Sequence, residues 1–363
     1  MSVSRHSRRP EGPKPSGLYF GTINPAMRLT LRTMSLLAIL LALASLVLPA
    51  WFRGEYPHPA GPAFDKFATR QYLREAERIQ PEVILLGDSI LTKGVDLETF
   101  QARVGATTYK IDIPGSSSAL WYLLIKSTIV DLEPAPRLLI ILFRDSILTA
   151  PAFRTTGPYF DLIDRFAAPD DSLVIERAYL PQLTPVQAAL QEYFPPYTYG
   201  ESLRAKLDSG LRHLLPQAFG CNGECADDAM TNVLGDMRPE VFAQSILQAE
   251  AVLYSPAELD FNARVDESFL PEIVRLAQKR GIQLVFVRAP TNIFPNPADE
   301  PPALHTYLAD LQAWLAARDI PLIDLSRVDG IGPGQFVDPH HMSLEGKTIF
   351  TPIFAGAVKP YLR

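Results

Sequence analysis

The stretch VILLGDSI, residues 83–90, decides how the chain is to be read. Four apolar residues in a row, two of them β-branched, fit a strand buried on both faces of a sheet. The run stops abruptly at Gly87, which permits a tight turn, and Asp88-Ser89 then has the composition of a helix start. Two readings of Ser89 follow. Either Asp88 or Ser89 is an N-cap with no chemistry. Or Ser89 is a nucleophile held at the strand's carboxyl end, its own N–H turned toward a developing oxyanion.

Outward from this stretch the same grammar repeats. Further apolar runs occur near 107–113 (TTYKIDI), 137–143 (RLLIILF), 283–288 (QLVFVR) and 320–325 (IPLIDL). Helical patterns flank them: one over about 67–79, SSALWYLLIKSTIV at 117–130, DESFLPEIVRLAQKRG before the fourth run and ALHTYLADLQAWLAARD before the fifth. Near-continuous apolar strands alternating with helices predict an α/β, doubly wound, five-stranded parallel sheet covered on both faces. One interval breaks the rhythm. About 150–262 is too long for a structureless loop and is expected to be an inserted lid over the sheet's carboxyl edge. Its aromatics Tyr193, Phe194, Tyr197 and Tyr199 either stack on a sugar, line an acyl groove, or pack the lid onto the body.

The N-terminus has a different character. Residues 1–32 carry Arg5, Arg8, Arg9, Lys14, Arg28 and Arg32 against Glu11 alone, with four prolines, and should not fold by themselves. Residues 33–52, TMSLLAILLALASLVLPAWF, hold no charge and are long enough as a helix to cross a bilayer core of about 30 Å. Trp51 and Phe52 stand where an interfacial aromatic belt would lie, and the basic tail predicts a cytoplasmic N-terminus with everything after it outside. A cleaved signal peptide is the rival reading, since Ala42–Ala44 resembles a cleavage site. The apolar run continuing to Ala50 favours a retained anchor. Residues 53–66 read as a linker and 67–363 as the exported domain. A net +5 before residue 53 leaves −11 beyond it, for −6 overall, so that domain has no electrostatic reason to bind nucleic acid. In an oxidising compartment Cys221 and Cys225, the chain's two cysteines, are expected to close a small disulfide loop; a redox-active pair is the alternative.

A nucleophilic serine needs a base, and the base a partner that fixes its tautomer. Of six histidines, His6 and His58 lie in the tail and linker, and His213 and His305 in helical patterns without an acidic partner fixed by sequence. His340 and His341 remain, in FVDPHHMSLEGKTIF, where Asp338 stands three residues before His341 in a turn stiffened by Pro339. Ser343 reads as the N-cap of the last helix. The alternative is a surface turn with two solvated histidines, and the sequence leaves open whether His340 could serve in place of His341. No group of residues has metal-ligand spacing and no phosphate loop is present, so neither a metal nor a cofactor is implied.

A strand ending in Gly-Asp-Ser early in the domain, with Asp-x-x-His before its last helix, resembles the SGNH (GDSL) hydrolase family over about 300 residues, the lid excepted. That resemblance implies a flavodoxin-like sheet, with Ser89 as nucleophile, His341 as base and Asp338 as its orienting acid. It also implies an oxyanion hole shared by the N–H groups of Ser89 and Gly115. Where the family has Gly-x-Asn-Asp, this chain has Leu142-Phe143-Arg144-Asp145. Arg144 either replaces the missing asparagine as a charged donor or binds Asp88 or Asp145 structurally. Arg288 and Asn292 either orient substrate or, for the arginine, pair with a lid carboxylate. With its anchor, the chain is similar to the membrane-tethered members of the family that acylate polysaccharides beside a multi-pass membrane O-acyltransferase. This implies acetyl transfer to an extracytoplasmic polymer, with an anchored esterase and a non-catalytic binding scaffold as the alternatives.

Overall fold

The computed structural model describes residues 25–52, 56–64, 71–200 and 250–362 of the 363. Most of the basic tail, Cys221, Cys225 and His213 lie outside the described residues, as does the middle of the stretch expected as a lid.

The first element among the described residues is α1 (Pro25–Phe52), which contains the expected apolar run. Its segment Arg28–Trp51, with a mean hydropathy of 2.2, is long and apolar enough to cross a membrane. After α2 (Gln71–Ile79) come β1 (Val83–Gly87), α3 (Ser89–Gly94), α4 (Leu97–Val104), β2 (Thr108–Asp112), α5 (Ser118–Leu124) and β3 (Leu138–Phe143). The chain then leaves the sheet through α6 (Phe160–Phe166), α7 (Pro185–Tyr193) and α8 (Pro195–Thr198). It returns with α9 (Leu270–Lys279), β4 (Gln283–Arg288), α10 (Pro302–Ala316), β5 (Leu322–Asp324) and α11 (Leu344–Val358).

All strand pairings are parallel, in the order β2-β1-β3-β4-β5, so the expected doubly wound sheet is what forms. β1 is fully buried between β2 and β3, which places Ser89 at the carboxyl edge where the strand order reverses. Alternate strand residues serve two cores. Ile84, Leu86, Leu139, Ile141 and Phe286 pack with α2, α5, α9 and α10; Val83, Leu85, Ile140, Val285 and Val287 pack with α4 and α11 through Phe100, Phe350 and Phe354. The expected helix at 117–130 is tighter at its start than at its end: after α5 the backbone widens into a π-helical turn over Ile125–Ile129.

The loop carrying His341 is braced at both ends. Phe336 and Met342 form an antiparallel bridge, Val337 N donates to His341 O at 2.9 Å, and Ser343 N donates to Gln335 O at 2.8 Å. Ser343 caps α11 by accepting from Gly346 N. A Cβ at Gly346 would collide with the Gln335 carbonyl oxygen at the root of this loop. Gly346→Ala should therefore destabilise the fold by about 1–3 kcal/mol and displace the loop. The expected result is a lower melting temperature together with slower modification of Ser89 by a fluorophosphonate; no change in either would refute this account of the loop.

Candidate active site

Asp88, not Ser89, takes the capping role. Its Oδ1 accepts from Ile90 N at 2.9 Å, which fixes the first turn of α3 and leaves the Ser89 hydroxyl uncommitted to the backbone. That hydroxyl lies 2.8 Å from His341 Nε2, a contact between residues 252 positions apart. His341 Nδ1 lies 2.8 Å from Asp338 Oδ2, and Asp338 Oδ1 accepts the backbone N–H groups of His340 and His341, both at 2.8 Å. The structure thus brings Ser89, His341 and Asp338 into one hydrogen-bonded line. A carboxylate on Nδ1 holds that nitrogen as the donor and leaves Nε2 free to accept the serine proton.

Burial pushes the Asp338 carboxyl up, but the His341 imidazole and the two backbone N–H groups outweigh it and hold it below the ordinary 3.8. His340 faces elsewhere. Its Nδ1 is buried without a partner, and burial, with the Arg144 charge adding to it, keeps the imidazole below its ordinary 6.5 despite the Glu250 and Asp338 carboxylates.

The turn after β2 closes the other side of the site. Ile113 N and Ser116 Oγ both donate to Gly87 O at 3.2 Å, and Trp121 Nε1 donates to Ser116 Oγ at 2.9 Å. Gly115 in this turn has φ +80°, and a Cβ there would sit 2.7 Å from the Tyr159 ring, so two constraints favour glycine. Among the described residues, neither Ser89 N nor Gly115 N donates to a protein acceptor.

A charged floor of paired side chains begins at Asp88, the residue before Ser89. Arg144 is 2% exposed; it pairs with Asp145 at 3.3 Å and with Glu250, while its Nε has no partner. Burial opposes its charge, but Glu250 and Asp145 more than compensate and raise its pKa. Of the two sequence readings, the structural pairing with Asp145 is present. Arg154 reaches Glu250 at 2.5 Å and the second oxygen of Asp88 at 3.4 Å, beside the Phe153 and Tyr159 rings. Burial pushes Glu250 up, and the two arginines together bring it below its ordinary value. Tyr254 donates to Asp145 at 2.6 Å.

Arg288 is spent in a similar way. It contacts Glu300 at 3.1 Å, Asp324 at 3.3 Å and Ser326 at 3.0 Å, and approaches Asp145 at 3.9 Å. Asn292 meets the histidine loop through its backbone, whose N–H donates to Pro339 O at 2.8 Å. Arg154 and Glu250 escaped sequence analysis. Neither stands in a motif, and 96 residues separate them. Among the described residues no group of His, Cys, Asp or Glu side chains could hold a metal ion.

No protein-family model matches this chain, and no curated protein matches it. Two crystal structures are similar in overall course. One, from Bacteroides fragilis and described as an acylhydrolase, is 14% identical and spans 82% of this chain and 99% of its own, with a TM-score of 0.39. The other, a GDSL-like lipase from Bacteroides thetaiotaomicron, is 12% identical and spans 80% of this chain and 97% of its own, with a TM-score of 0.35. Overlap this loose carries no residue-level correspondence.

Two predictions follow from the site's charges. Glu250→Ala leaves the buried Arg144 and the half-buried Arg154 without their shared counter-charge and should cost about 3–5 kcal/mol, read by chemical denaturation. His340 resists protonation when folded and accepts a proton at the ordinary 6.5 when unfolded. Its contribution to stability is therefore full above pH 6.5 and declines as pH falls below it. His340→Asn should flatten the fall in melting temperature between about pH 6.5 and 5; an unchanged slope would sink the assignment.

Proposed function

We propose that the protein is a serine acyltransferase of the exported face of a membrane, moving an acyl group, acetyl in the simplest case, onto hydroxyls of a polysaccharide. One observation carries the chemistry: the unbroken line from Ser89 Oγ through His341 to Asp338, with 2.8 Å at each step. His341 Nε2 takes the Ser89 proton as Oγ attacks the carbonyl of an acyl ester. The negative charge that forms on the carbonyl oxygen is met by the free N–H groups of Ser89 and Gly115. Collapse of the tetrahedral intermediate breaks the bond to the leaving group, which departs with the proton from His341, and leaves acyl-Ser89. A sugar hydroxyl then gives its proton to His341 and attacks the acyl-serine, forming the new ester and restoring the Ser89 hydroxyl.

The setting argues for a polymer acceptor. In this reading Arg28–Trp51 spans the cytoplasmic membrane with the basic tail inside, and the acidic domain works outside. Tethering raises its effective concentration beside a multi-pass O-acyltransferase that supplies the acyl group. A disulfide between Cys221 and Cys225, and lid residues that exclude water from the acyl-serine, belong to the same reading. Hydrolysis is the second reading, favoured by one specific feature: the His341 and Asp338 side chains are 28% and 44% exposed, so water has access to the base.

The full chain in nanodiscs, given an activated acetyl ester and an oligosaccharide acceptor, tests the proposal. Acetyl should appear first on Ser89 and then on the acceptor. Ser89→Ala should retain the melting temperature and lose both signals. Asp338→Asn should slow acylation by about 10²–10⁴-fold, because the imidazole loses its fixed tautomer. Acetate release without acceptor acetylation would establish the esterase instead. A wild-type Ser89 that reacts with neither ester nor fluorophosphonate would leave a binding scaffold.

A further inference from the structure

A second contact with the bilayer follows from where α8 sits on α1. The side chains of α1 are exposed along most of its length, but Ala44, Ser45, Leu48 and Pro49 are half-buried. These four recur at intervals of four, so they share one helix face, and α8 packs against α1. Ala44 and Ser45 are small enough to let another backbone approach. At about 1.5 Å per residue, Ala44 lies roughly 10 Å along the helix from Trp51, which is 73% exposed at the end of the apolar segment. If that segment crosses a bilayer, with Trp51 at the aromatic belt, an element seated on Ala44–Pro49 is already below the belt. Helices lying in the plane of a membrane sink to a similar depth, about 5–10 Å.

The composition of the region suits that position. Residues 185–200, PVQAALQEYFPPYTYG, contain one charged side chain, Glu192. Val186, Ala189 and Tyr193 are exposed and spaced by three and four, so they form an unpartnered apolar stripe on α7, and Tyr197 extends it onto α8. Another side of α7 meets the linker, where Gln191 Oε1 accepts from Gly61 N at 2.9 Å and the Glu192 backbone carbonyl accepts from His58 N at 3.3 Å; the Glu192 carboxylate accepts from the Tyr193 hydroxyl. Tyr199 meets Tyr56 with ring centroids 5.8 Å apart, tying the same corner to the chain just beyond the anchor.

We propose that α7 and α8 lie in the outer interfacial layer of the bilayer, the Val186–Tyr193–Tyr197 stripe facing lipid, so that the domain rests on the membrane as well as being tethered to it. The proposal rests on the reading of Arg28–Trp51 as a membrane span and is independent of the acyl-transfer chemistry. With no basic residue in the stretch, the contact is apolar and should persist at high salt.

The unaltered full chain, reconstituted in phosphatidylethanolamine–phosphatidylglycerol vesicles containing a lipid with a photoactivatable acyl chain, provides the test. Mapped cross-links are expected both in Arg28–Trp51 and in 185–200, undiminished in molar salt, with none in α10. Cross-links confined to Arg28–Trp51 would overturn the proposal; none in Arg28–Trp51 would overturn the span and the proposal with it. Nitroxides on Tyr193→Cys and Tyr197→Cys, with both native cysteines replaced by serine, give a second measurement. Oxygen should relax them more than a water-soluble nickel chelate does, the reverse of a label on Ala313→Cys. Nickel-dominated relaxation at both sites would refute lipid contact.

Discussion

The hydrogen bond between His341 Nε2 and Ser89 Oγ is the constraint around which the molecule is arranged. Its partners are 252 residues apart, so only tertiary structure can bring them together. β1 stands in the sheet's interior and ends in a turn whose cap, Asp88, is itself clamped. α11 packs under β1 and α4 through Phe350 and Phe354, and its N-cap Ser343 begins where the histidine loop ends. Both groups are therefore mounted on the ends of buried elements, where rotamer freedom is small. This is the economy of a parallel α/β sheet: the interior supplies rigidity, and the carboxyl edge supplies the place where side chains from distant strands converge.

The charged floor that begins at Asp88 is built from a different force. Asp88, Arg154, Glu250, Arg144 and Asp145 alternate in sign, and Arg288 extends the row toward β5. Each charge buried there loses hydration, and mutual pairing recovers most of that cost without turning the network into a large source of stability. What it contributes is position. Asp88 is held at one oxygen by the helix it caps and at the other by Arg154, so the turn carrying Ser89 has little freedom to tilt. Asp145 and Arg154 both adopt positive φ, +47° and +54°, a conformation that non-glycine residues tolerate mainly where surrounding contacts over-determine it.

Much of this was legible in the sequence. The five strands fall within the runs that apolar patterning marks, because a buried parallel strand leaves so plain a trace: Leu138–Phe143 is six apolar residues in a row. Ser89, Asp338 and His341 could be singled out because each stands in a short local pattern. Gly115 was visible for the same reason. The charged floor was not. Arg154 and Glu250 act through a pairing across 96 residues that no local pattern encodes, and an arginine in an irregular stretch looks the same on paper whether buried or solvated. The role of Arg144 was ambiguous for a related reason: its identity was evident, but the carboxylate it meets from beyond residue 200 was not. The aromatics near Tyr193 could be assigned to a sugar, an acyl group or packing, because an aromatic side chain looks the same on paper in each of these settings.

Glu250 belongs to the long excursion between β3 and β4, whereas Arg144 belongs to the exit of β3 itself. Body and excursion therefore share a single electrostatic unit. The excursion is not a detachable module that can be trimmed away or grafted onto a relative's scaffold: cutting it out would remove Glu250 and Arg154 together, leaving the buried Arg144 without Glu250 and Asp88, beside Ser89, without Arg154. Any shortened ancestor or engineered minimal version of this chain would first have to neutralise Arg144 and re-anchor Asp88.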